Sequence, residues 1–377
     1  MTNVLRWIMV VLLTGHGLIH LLGAAKGLGW AEVGQLQQPI GVGAGVLWLL
    51  ASLLVLAAAA LLAVVAPTWW WVLAGCAAVL SQVAVGTSWS DAKAGTAINV
   101  LLILGAAYGF AWVGPLSYHA QWGEQAVRAL ADVEPGRSDV TDADLNDLPE
   151  PLAAYVRRAG AVGRPRVTSV HADIHGRIRS GPDAAWMPFN GKQVNTYGPH
   201  PQRAFIIDAT RSGLPVTVLH QYQHATATMR AKALSVTTVV DASGPEMNRG
   251  ETVTVFNDLV VLAPGAIVDA PVRWTAIDAD HVRGVYTDGD QAVSAVLTFN
   301  SEHDLVNFVS QDRFRASADG KSFDLQDWST PLAPFRATDG RRLPTVGEGR
   351  WNAPEPEGTF TYVEFHVDAI HYNVRSA

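Results

Sequence analysis

The hydrophobic pattern of the chain changes abruptly near residue 117. Before that point, apolar residues dominate four runs, at residues 4–24, 42–65, 68–87 and 95–115. A helix of about 20 apolar residues is long enough to cross a bilayer. The pattern therefore predicts an α-helical four-span transmembrane bundle over residues 1–117. The first run is not a cleaved signal peptide, because further spans follow it.

After this region, the pattern becomes polar and then alternates. Residues 118–164 predict a helical connector, and from Arg166 onward apolar and polar residues alternate as they do in half-buried strands. One long strand is expected over residues 226–240 and one helix over residues 251–262. Many short strands without intervening helices predict a mainly antiparallel β (α+β) soluble domain over residues 165–377, with a curved sheet or half-barrel and one covering helix.

Charge is distributed as unevenly as hydropathy. The first 117 residues carry five charged side chains, a net charge of +1: Arg6, Lys26, Glu32, Asp91 and Lys93. The whole 377-residue chain has a formal charge of −7, so the remainder carries −8. An acidic polar region argues against a nucleic-acid partner and against polybasic attachment to anionic lipid.

The few charges near the apolar runs also bear on orientation. Cytoplasmic loops of membrane proteins are enriched in Lys and Arg. Arg6 and Arg128 favour termini in the cytoplasm, whereas Lys26 and Lys93 favour the opposite arrangement. We expect a multi-pass cell-membrane protein whose large domain is cytoplasmic. The single cysteine, Cys76, excludes an internal disulfide.

Polar residues within or beside the apolar runs form a first candidate site. Alternation of four spans brings the end of the first, the end of the third and the start of the fourth to one membrane face. The predicted intramembrane polar cluster is His16, His20, Gln82, Asp91, Lys93 and Asn99. Three interpretations stay open: hydrogen bonds that hold the helices together, a pocket for a small molecule or lipid headgroup, or a haem, metal or proton-transfer site at His16 and His20.

The polar region offers a second candidate site, although no nucleophile elbow, phosphate loop, zinc pattern or dinucleotide fingerprint is present. Glu251 is expected in the first turn of the predicted helix, where the helix dipole stabilises an acid. Asn257 and Asp258 are poor helix formers, and their place within the helix predicts specific hydrogen bonds, either structural or site-forming. The aromatic residues expected to line an apolar ligand site are Trp186, Tyr222 and Trp274.

Several motifs of this region belong together. They are Glu251-Thr-Val-Thr-Val-Phe-Asn257-Asp258, Leu262-Ala-Pro264-Gly265 and Arg273-Trp274, with Gly244-Pro-Glu246-Met247 before them and Asp312-Arg313, Trp328-Ser-Thr-Pro331 and Trp351 after them. Over residues 148–374 they resemble an uncharacterised bacterial family of unknown function. The resemblance implies a domain similar in fold to the curved half-barrels that carry lipids or lipoproteins. The bundle resembles a recurrent bacterial four-span module through His16-Gly-Leu-Ile-His20-Leu, Ser81-Gln82 and Trp89-Ser-Asp91-Ala-Lys93.

These observations predict a membrane-anchored, non-catalytic binding protein for a membrane lipid or another hydrophobic small molecule. No cofactor or metal is expected, apart from the haem or metal interpretation of His16 and His20. The rival hypothesis is an integral membrane enzyme or redox protein that uses His16, His20, Gln82 and Asp91. A third hypothesis is a scaffold whose bundle binds a partner protein.

Overall fold

The computed structural model describes residues 3–134, 138–317, 320–338 and 340–376. The chain separates into two compact units, Met1–Ala120 and Gln121–Ala377. The first unit is helical and the second contains the sheet, and each is described below by itself.

The first unit consists of four long helices and one short one. They are α1 (Asn3–Gly27), α2 (Val42–Val64), α3 (Trp70–Thr87), the short α4 (Trp89–Ala92) and α5 (Gly95–Val113). In the part of the chain that the structure describes, four helices are long and apolar enough to cross a membrane, and they begin in α1, α2, α3 and α5. The predicted helical bundle is therefore confirmed as a set of four apolar helices.

Small residues bring these helices close together. A Cβ atom on Gly23 of α1 would lie 2.3 Å from the Trp48 ring of α2, so the close approach of the two helices requires glycine there. Alanines fill the contact between α2 and α3, where Ala58, Ala74 and Ala77 are fully buried. Close packing of small residues is the usual basis of helix association in membranes, because lipid tails provide no hydrophobic driving force between helices.

Helix α6 (Tyr118–Ala131) begins three residues before the second unit and continues into it, and α7 (Glu150–Arg158) follows. The remaining helix is α8 (Pro245–Leu262), which a 3-10 segment follows at Pro264–Asp269. The strands are β1 (Ser169–Ile178), β2 (Met187–Thr196), β3 (Gln202–Arg211), β4 (Leu214–Gln223), β5 (Thr226–Ala233), β6 (Thr237–Ser243), β7 (Val272–Ala276), β8 (His281–Asp288), β9 (Gln291–Phe299), β10 (Leu305–Ser310), β11 (Phe314–Ala316), β12 (Phe323–Leu325), β13 (Asp327–Ser329), β14 (Phe335–Thr338), β15 (Arg341–Pro344), β16 (Val346–Asn352) and β17 (Thr359–Tyr372).

Thirteen of the described strands form one antiparallel sheet. Their order is β6-β5-β4-β3-β2-β1-β17-β16-β13-β10-β9-β8-β7, so β6 and β7 are its two unjoined edges. We call β1–β6 the first wing and β7–β10 the second wing. The predicted mainly antiparallel sheet with a covering helix is confirmed, and the structure shows that the sheet is not closed.

Helix α8 lies inside the curve of this sheet. Because it follows β6 and precedes β7, the chain passes from one edge of the sheet to the other through α8. Val253, Phe256 and Val260 are fully buried, and the Phe256 ring stacks on Tyr286 of the second wing at 5.4 Å. A helix that is buried on every side is a core element rather than a surface helix. The two wings meet beside α8, where Tyr222 of β4 donates a hydrogen bond of 2.6 Å to Asp288 of β8.

Two expectations about local structure are wrong. Helix α8 begins at Pro245, six residues before the predicted start, because proline is well accommodated in a first helical turn. Glu251 is therefore not a first-turn acid, and the helix dipole does not account for it. Residues 226–240 are two strands rather than one, because Leu234 and Ser235 adopt positive φ angles of 53° and 57° and close a tight hairpin.

Candidate functional site

The two carboxylates of α8 lie on one face of the helix, since Glu251 and Asp258 are seven residues apart. Asp258 Oδ2 accepts three hydrogen bonds from the first wing. The donors are Gln193 Nε2 at 2.7 Å, Asn195 Nδ2 at 3.0 Å and Arg203 Nε at 2.8 Å. This carboxylate therefore fixes the C-terminal half of α8 to β2 and β3.

Glu251 connects α8 to both wings of the sheet. Its carboxylate lies 3.4 Å from Arg203 of the first wing and 3.4 Å from Arg313, which follows β10 of the second wing. His220 Nδ1 lies 3.8 Å away, within ion-pair range but beyond hydrogen-bond distance. We call Arg203, His220, Glu251, Asp258 and Arg313 the buried ion cluster.

The charges of this cluster are almost completely removed from solvent. The side chains of Arg203 and Glu251 are only 7% and 4% exposed. Burial alone raises the pKa of Glu251, but the adjacent His220, Arg313 and Arg203 outweigh it and hold that pKa well below its usual range. Glu251 is thus a buried anion that depends on its cationic neighbours, because a buried charge without partners is strongly disfavoured.

Two other predicted residues, Asn257 and Tyr222, form hydrogen bonds outside the buried ion cluster. Asn257 donates to Thr330 Oγ1 at 3.2 Å and so points away from the buried ion cluster. Tyr222 is 1% exposed, and its hydroxyl lies 3.1 Å from Thr252 Oγ1 while it donates to Asp288. Burial and the hydrogen bond to Asp288 raise the pKa of Tyr222, which keeps the hydroxyl a donor.

The two predicted tryptophans lie in different places. The Trp274 ring packs against Phe256 of α8 at 5.7 Å, on the inner side of the sheet. Trp186 lies between β1 and β2 with its ring 4.5 Å from both Arg177 and Arg179. The structure therefore brings Tyr222 and Trp274 to the helix and leaves Trp186 elsewhere. Whether any of the three binds a ligand stays a prediction.

A small cavity lies at the C-terminal end of α8. Its volume is about 60 Å³. It is lined by Val167, Thr168, Tyr197, Gly198, Pro201, Leu259, Ala266, Asp269, Ala270, Pro271 and Tyr286. Tyr197 directly follows β2 of the first wing, and Tyr286 belongs to β8 of the second wing. The cavity therefore lies between the two wings, at a place that we call the seam. Pockets for drug-sized ligands occupy roughly 300–1,000 Å³, so this cavity is far smaller than a lipid site.

In the first unit, four of the six predicted polar residues form one hydrogen-bond network. His16 Nε2 lies 3.0 Å from both Ser81 Oγ and Asn99 Oδ1, and His20 Nε2 lies 2.7 Å from Ser81 Oγ. Asn99 donates to Gln82 Oε1 at 2.9 Å. His16, His20, Ser81, Gln82 and Asn99 are called the intramembrane network.

The number of protons on Ser81 Oγ determines whether His16 and His20 donate or accept hydrogen bonds in the intramembrane network. Ser81 donates its hydroxyl proton to Asn99 Oδ1 at 2.7 Å. Both His16 Nε2 and His20 Nε2 must then be donors, since a serine hydroxyl has one proton and two acceptor sites. The Nδ1 atom of His20 is left as a buried acceptor with no partner among the described residues.

Asp91 and Lys93 are separate from this network. The Asp91 carboxylate accepts a 2.8 Å hydrogen bond from the backbone N–H of Gln38, and Lys93 is exposed. The hydrogen bond from Gln38 lowers the pKa of Asp91. Among the described residues, no group of three His, Cys, Asp or Glu side chains is placed to hold a metal ion. The sequence-based cluster thus contains one true network and two residues that lie apart from it.

Three important residues were absent from the predicted sites. Ser81 Oγ is the central atom of the intramembrane network, since it contacts His16, His20 and Asn99. Arg203 and Arg313 neutralise the carboxylates of α8. Ser81 precedes Gln82, and Arg313 stands in the Asp312-Arg313 motif, so both had a sequence signal. Arg203 had none, because a single basic residue in an alternating strand looks like a solvent-facing position.

The fold and its two polar clusters define a class of protein that joins four apolar helices to an open antiparallel half-barrel around a buried helix. Residues 138–365 match the model of a family of unknown function, DUF6544, and the chain belongs to that family. The expected membership in an uncharacterised family is thereby confirmed. A comparison with curated proteins gave no match.

Two solved structures are similar to part of this chain. One is a Vibrio parahaemolyticus domain described as an outer membrane lipoprotein-sorting protein, with 10% sequence identity and a TM-score of 0.32, over 59% of this chain and 91% of that chain. The other is a DUF1329 family protein from Desulfovibrio piger, with 12% identity and a TM-score of 0.34, over 60% of this chain and 94% of that chain.

Proposed function

We propose that this chain is a membrane-anchored, non-catalytic binding protein for a lipid or another hydrophobic ligand. The observation that supports this function is the open sheet, whose apolar inner face curves around α8 and whose edge strands β6 and β7 are unjoined. An unjoined edge allows the wings to separate without breaking a strand ladder. The four apolar helices of the same chain provide the attachment to a bilayer, where hydrophobic ligands are concentrated.

The ligand enters at the seam between the wings. The cavity beside Leu259, Ala270 and Tyr286 is its starting point, although about 60 Å³ does not hold an acyl chain. Uptake therefore requires the 3-10 segment Pro264–Asp269 to move, and α8 to shift with it. Trp274 and Tyr222 border α8 and are the predicted residues best placed to contact a ligand that takes its place.

Photo-crosslinking tests this function on the full-length protein in detergent. The probe is a C16 fatty acid with a diazirine, and the co-purified lipids are identified by native mass spectrometry. Ala270→Trp fills the cavity and is expected to lower crosslinking to residues 165–376 several-fold. Ala276→Trp is the matched control, because Ala276 is an exposed residue of β7 outside the cavity.

Two results contradict the proposal. One is the absence of both co-purified lipid and crosslinked peptides from residues 165–376. The other is equal crosslinking in the Ala270→Trp and Ala276→Trp variants, which places the probe outside the seam.

The side of the membrane is a separate part of the proposal. We place the large domain in the cytoplasm because Arg6 and Arg128 flank the bundle at the termini. A C-terminal tag is then expected to be labelled only after cells are permeabilised. Labelling on intact cells contradicts this orientation.

A second candidate function is an integral membrane enzyme or redox protein centred on the intramembrane network. It is favoured by the buried Nδ1 of His20, which has no hydrogen-bond partner among the residues that the structure describes, since buried polar atoms in membrane helices are costly and often functional. An absorption spectrum and metal analysis of the purified protein test it. A colourless, metal-free preparation excludes the haem and metal forms of this function.

A further inference from the structure

Helix α8 covers only part of the inner face of the first wing. The helix contacts Arg203 of β3 and Tyr222 of β4, which lie opposite each other. The next row on the same face is Phe205, His220 and Met229, because side chains alternate between the two faces of a strand. These three side chains are half-buried, although they face the inside of the curve. The inner face therefore continues beyond the helix.

From His220 to the ends of β3, β4 and β5, this inner face is entirely apolar. Its side chains there are Ile207, Ala209, Val216, Val218, Ala231 and Ala233. We call the half-buried apolar side chains of the face, Phe205, Val216, Val218, Met229 and Val240, the inner-face strip. Strand β4 ends at Leu214, about 20 Å from His220 at about 3.3 Å per residue, so the strip is long enough for an extended acyl chain.

Glycines let two aromatic rings lie along the sheet in this region. A Cβ atom on Gly191 of β2 would lie 2.6 Å from Cε2 of Phe205, so the ring leans across the neighbouring strand. In the same way, a Cβ atom on Gly176 of β1 would lie 3.0 Å from Cζ of Phe189. A ring that leans along the sheet fills less of the concave side than a ring that stands on it, which leaves space over the inner-face strip.

His220 is the polar residue at one end of the inner-face strip. Its Nδ1 atom is buried 3.8 Å from Glu251 and has no hydrogen-bond partner among the described residues. The His220 side chain is 17% exposed, more than any other member of the buried ion cluster. Because the exposed part is not Nδ1, Nε2 is the polar atom of the ring that a ligand can contact.

The charge balance of the buried ion cluster indicates which group His220 accepts. Arg203 and Arg313 balance the carboxylates of Glu251 and Asp258. A neutral His220 ring carries its proton on Nδ1, which faces the Glu251 carboxylate, so Nε2 becomes a donor only when the ring is protonated. The protonated ring is then a surplus positive charge, and an anionic group at Nε2 balances it with a charge-assisted hydrogen bond.

We propose that the inner-face strip binds the chain of a fatty acid and that His220 Nε2 binds its carboxylate. One donor at the end of one apolar strip matches a single-chain amphiphile with a small anionic headgroup. An uncharged fatty acid supplies the required proton, because its O–H proton passes to Nε2 and leaves a carboxylate beside the imidazolium. The inference rests on the proposed function and names its ligand class. The seam at the other end of α8 stays the entrance, and the strip is where the ligand is held.

Photo-crosslinking of the full-length protein in detergent tests the headgroup contact. Two probes are compared, a C16 fatty acid with a diazirine near the end of its chain and the methyl ester of the same probe. The acid is expected to crosslink to residues 203–240 about tenfold more than the ester, because hydrogen bonds between charged groups are stronger than neutral ones. His220→Leu is expected to abolish this difference, while crosslinking of the ester persists. His371→Leu, at an exposed position of β17, is the matched control and keeps the difference.

A second pair of variants tests the contact with the chain. Val218→Trp fills the inner-face strip and is expected to lower crosslinking of both probes several-fold. Val236→Trp is the matched control, since Val236 is 67% exposed between β5 and β6. The melting temperature of each variant separates loss of binding from unfolding. If His220→Leu does not fold, His220→Gln replaces it with the same expectation, because glutamine carries no charge.

Three results overturn this inference and leave the proposed function in place. The first is equal crosslinking of the acid and the ester in the parent protein. The second is a folded His220 variant that keeps the preference for the acid. The third is crosslinking that is confined to the seam and is equal in the Val218→Trp and Val236→Trp variants. The absence of crosslinks from all of residues 165–376 instead overturns the proposed function, and this inference with it.

Discussion

Replacing Asp258 with asparagine tests whether the buried ion cluster holds α8 inside the sheet. The substitution keeps the size of the side chain and removes the charge that Arg203 Nε contacts at 2.8 Å. It also replaces one carboxylate oxygen with an NH2 group, so a single neutral oxygen is left to accept from Gln193, Asn195 and Arg203. The expected result is a large loss of stability and a looser α8.

The size of the loss follows from the burial of the pair. Breaking a buried ion pair by removal of one partner costs about 3–5 kcal/mol. We expect about 3 kcal/mol, the lower limit, because Arg203 keeps Glu251 at 3.4 Å. For a unit of this size, about 3 kcal/mol corresponds to a fall of about 6–12 °C in melting temperature. The double variant with Arg203→Gln is expected to lose less than the sum of the single variants, since contacting residues are coupled.

The measurement is a near-UV circular dichroism melt of the full-length protein in detergent, with hydrogen exchange of the α8 amides. Glu124→Gln is the control: it also removes one acidic charge, but from an ion pair with Arg128 whose side chains are 64% and 63% exposed. Exposed pairs contribute less than about 1 kcal/mol. The reasoning is refuted if Asp258→Asn melts within 2 °C of that control and exchange of the amides of α8 is unchanged, a limit of about 1 kcal/mol.

Three further predictions concern other polar contacts. Tyr222→Phe removes the donor to Asp288 and is expected to cost about 2 kcal/mol, seen as a lower melting temperature; an unchanged melt contradicts the hydrogen bond between the wings. Since the pKa of Glu251 in the folded state lies below its ordinary value of 4.5, its stabilisation is complete above about pH 4.5 and declines as the pH falls further. The stability difference between the parent and Glu251→Gln should therefore shrink in acid, and a pH-independent difference refutes this. Ser81→Ala is expected to cost about 1 kcal/mol in mixed-micelle unfolding, whereas the control Ser90→Ala, at an exposed position, should cost nothing measurable.

The sequence predicted the elements whose physical requirement is local. A membrane-crossing helix needs about 20 consecutive apolar residues, and α2 follows the predicted run 42–65 within one residue. Half-buried strands alternate, and the sheet that follows residue 165 was expected from that pattern. The arrangement of His16, His20 and Asn99 was also predictable, because alternation of spans and helix periodicity place them at one level.

The sequence failed where local preference was overridden. The turn at Leu234–Ser235 contains none of the residues that favour left-handed φ, so residues 226–240 looked like one strand. Arg203 looked like a solvent-facing strand residue, because its burial depends on Glu251 and Asp258, which follow it by 48 and 55 residues. Contacts of this kind arise from the path of α8 through the curved sheet, which no local pattern specifies.

The same contacts that close the sheet also oppose ligand uptake. If the interior opens only when Asp258 of α8 separates from its donors on β2 and β3, about 3 kcal/mol must be overcome, and the open form makes up about 0.6% of the population. The apparent affinity for a hydrophobic ligand is then weakened roughly 150-fold relative to the open form. Asp258→Asn should consequently have opposite effects on the two quantities, lower stability and tighter ligand binding. A variant that lost stability without a gain in fatty-acid crosslinking at the seam would place the ligand outside the space that α8 occupies.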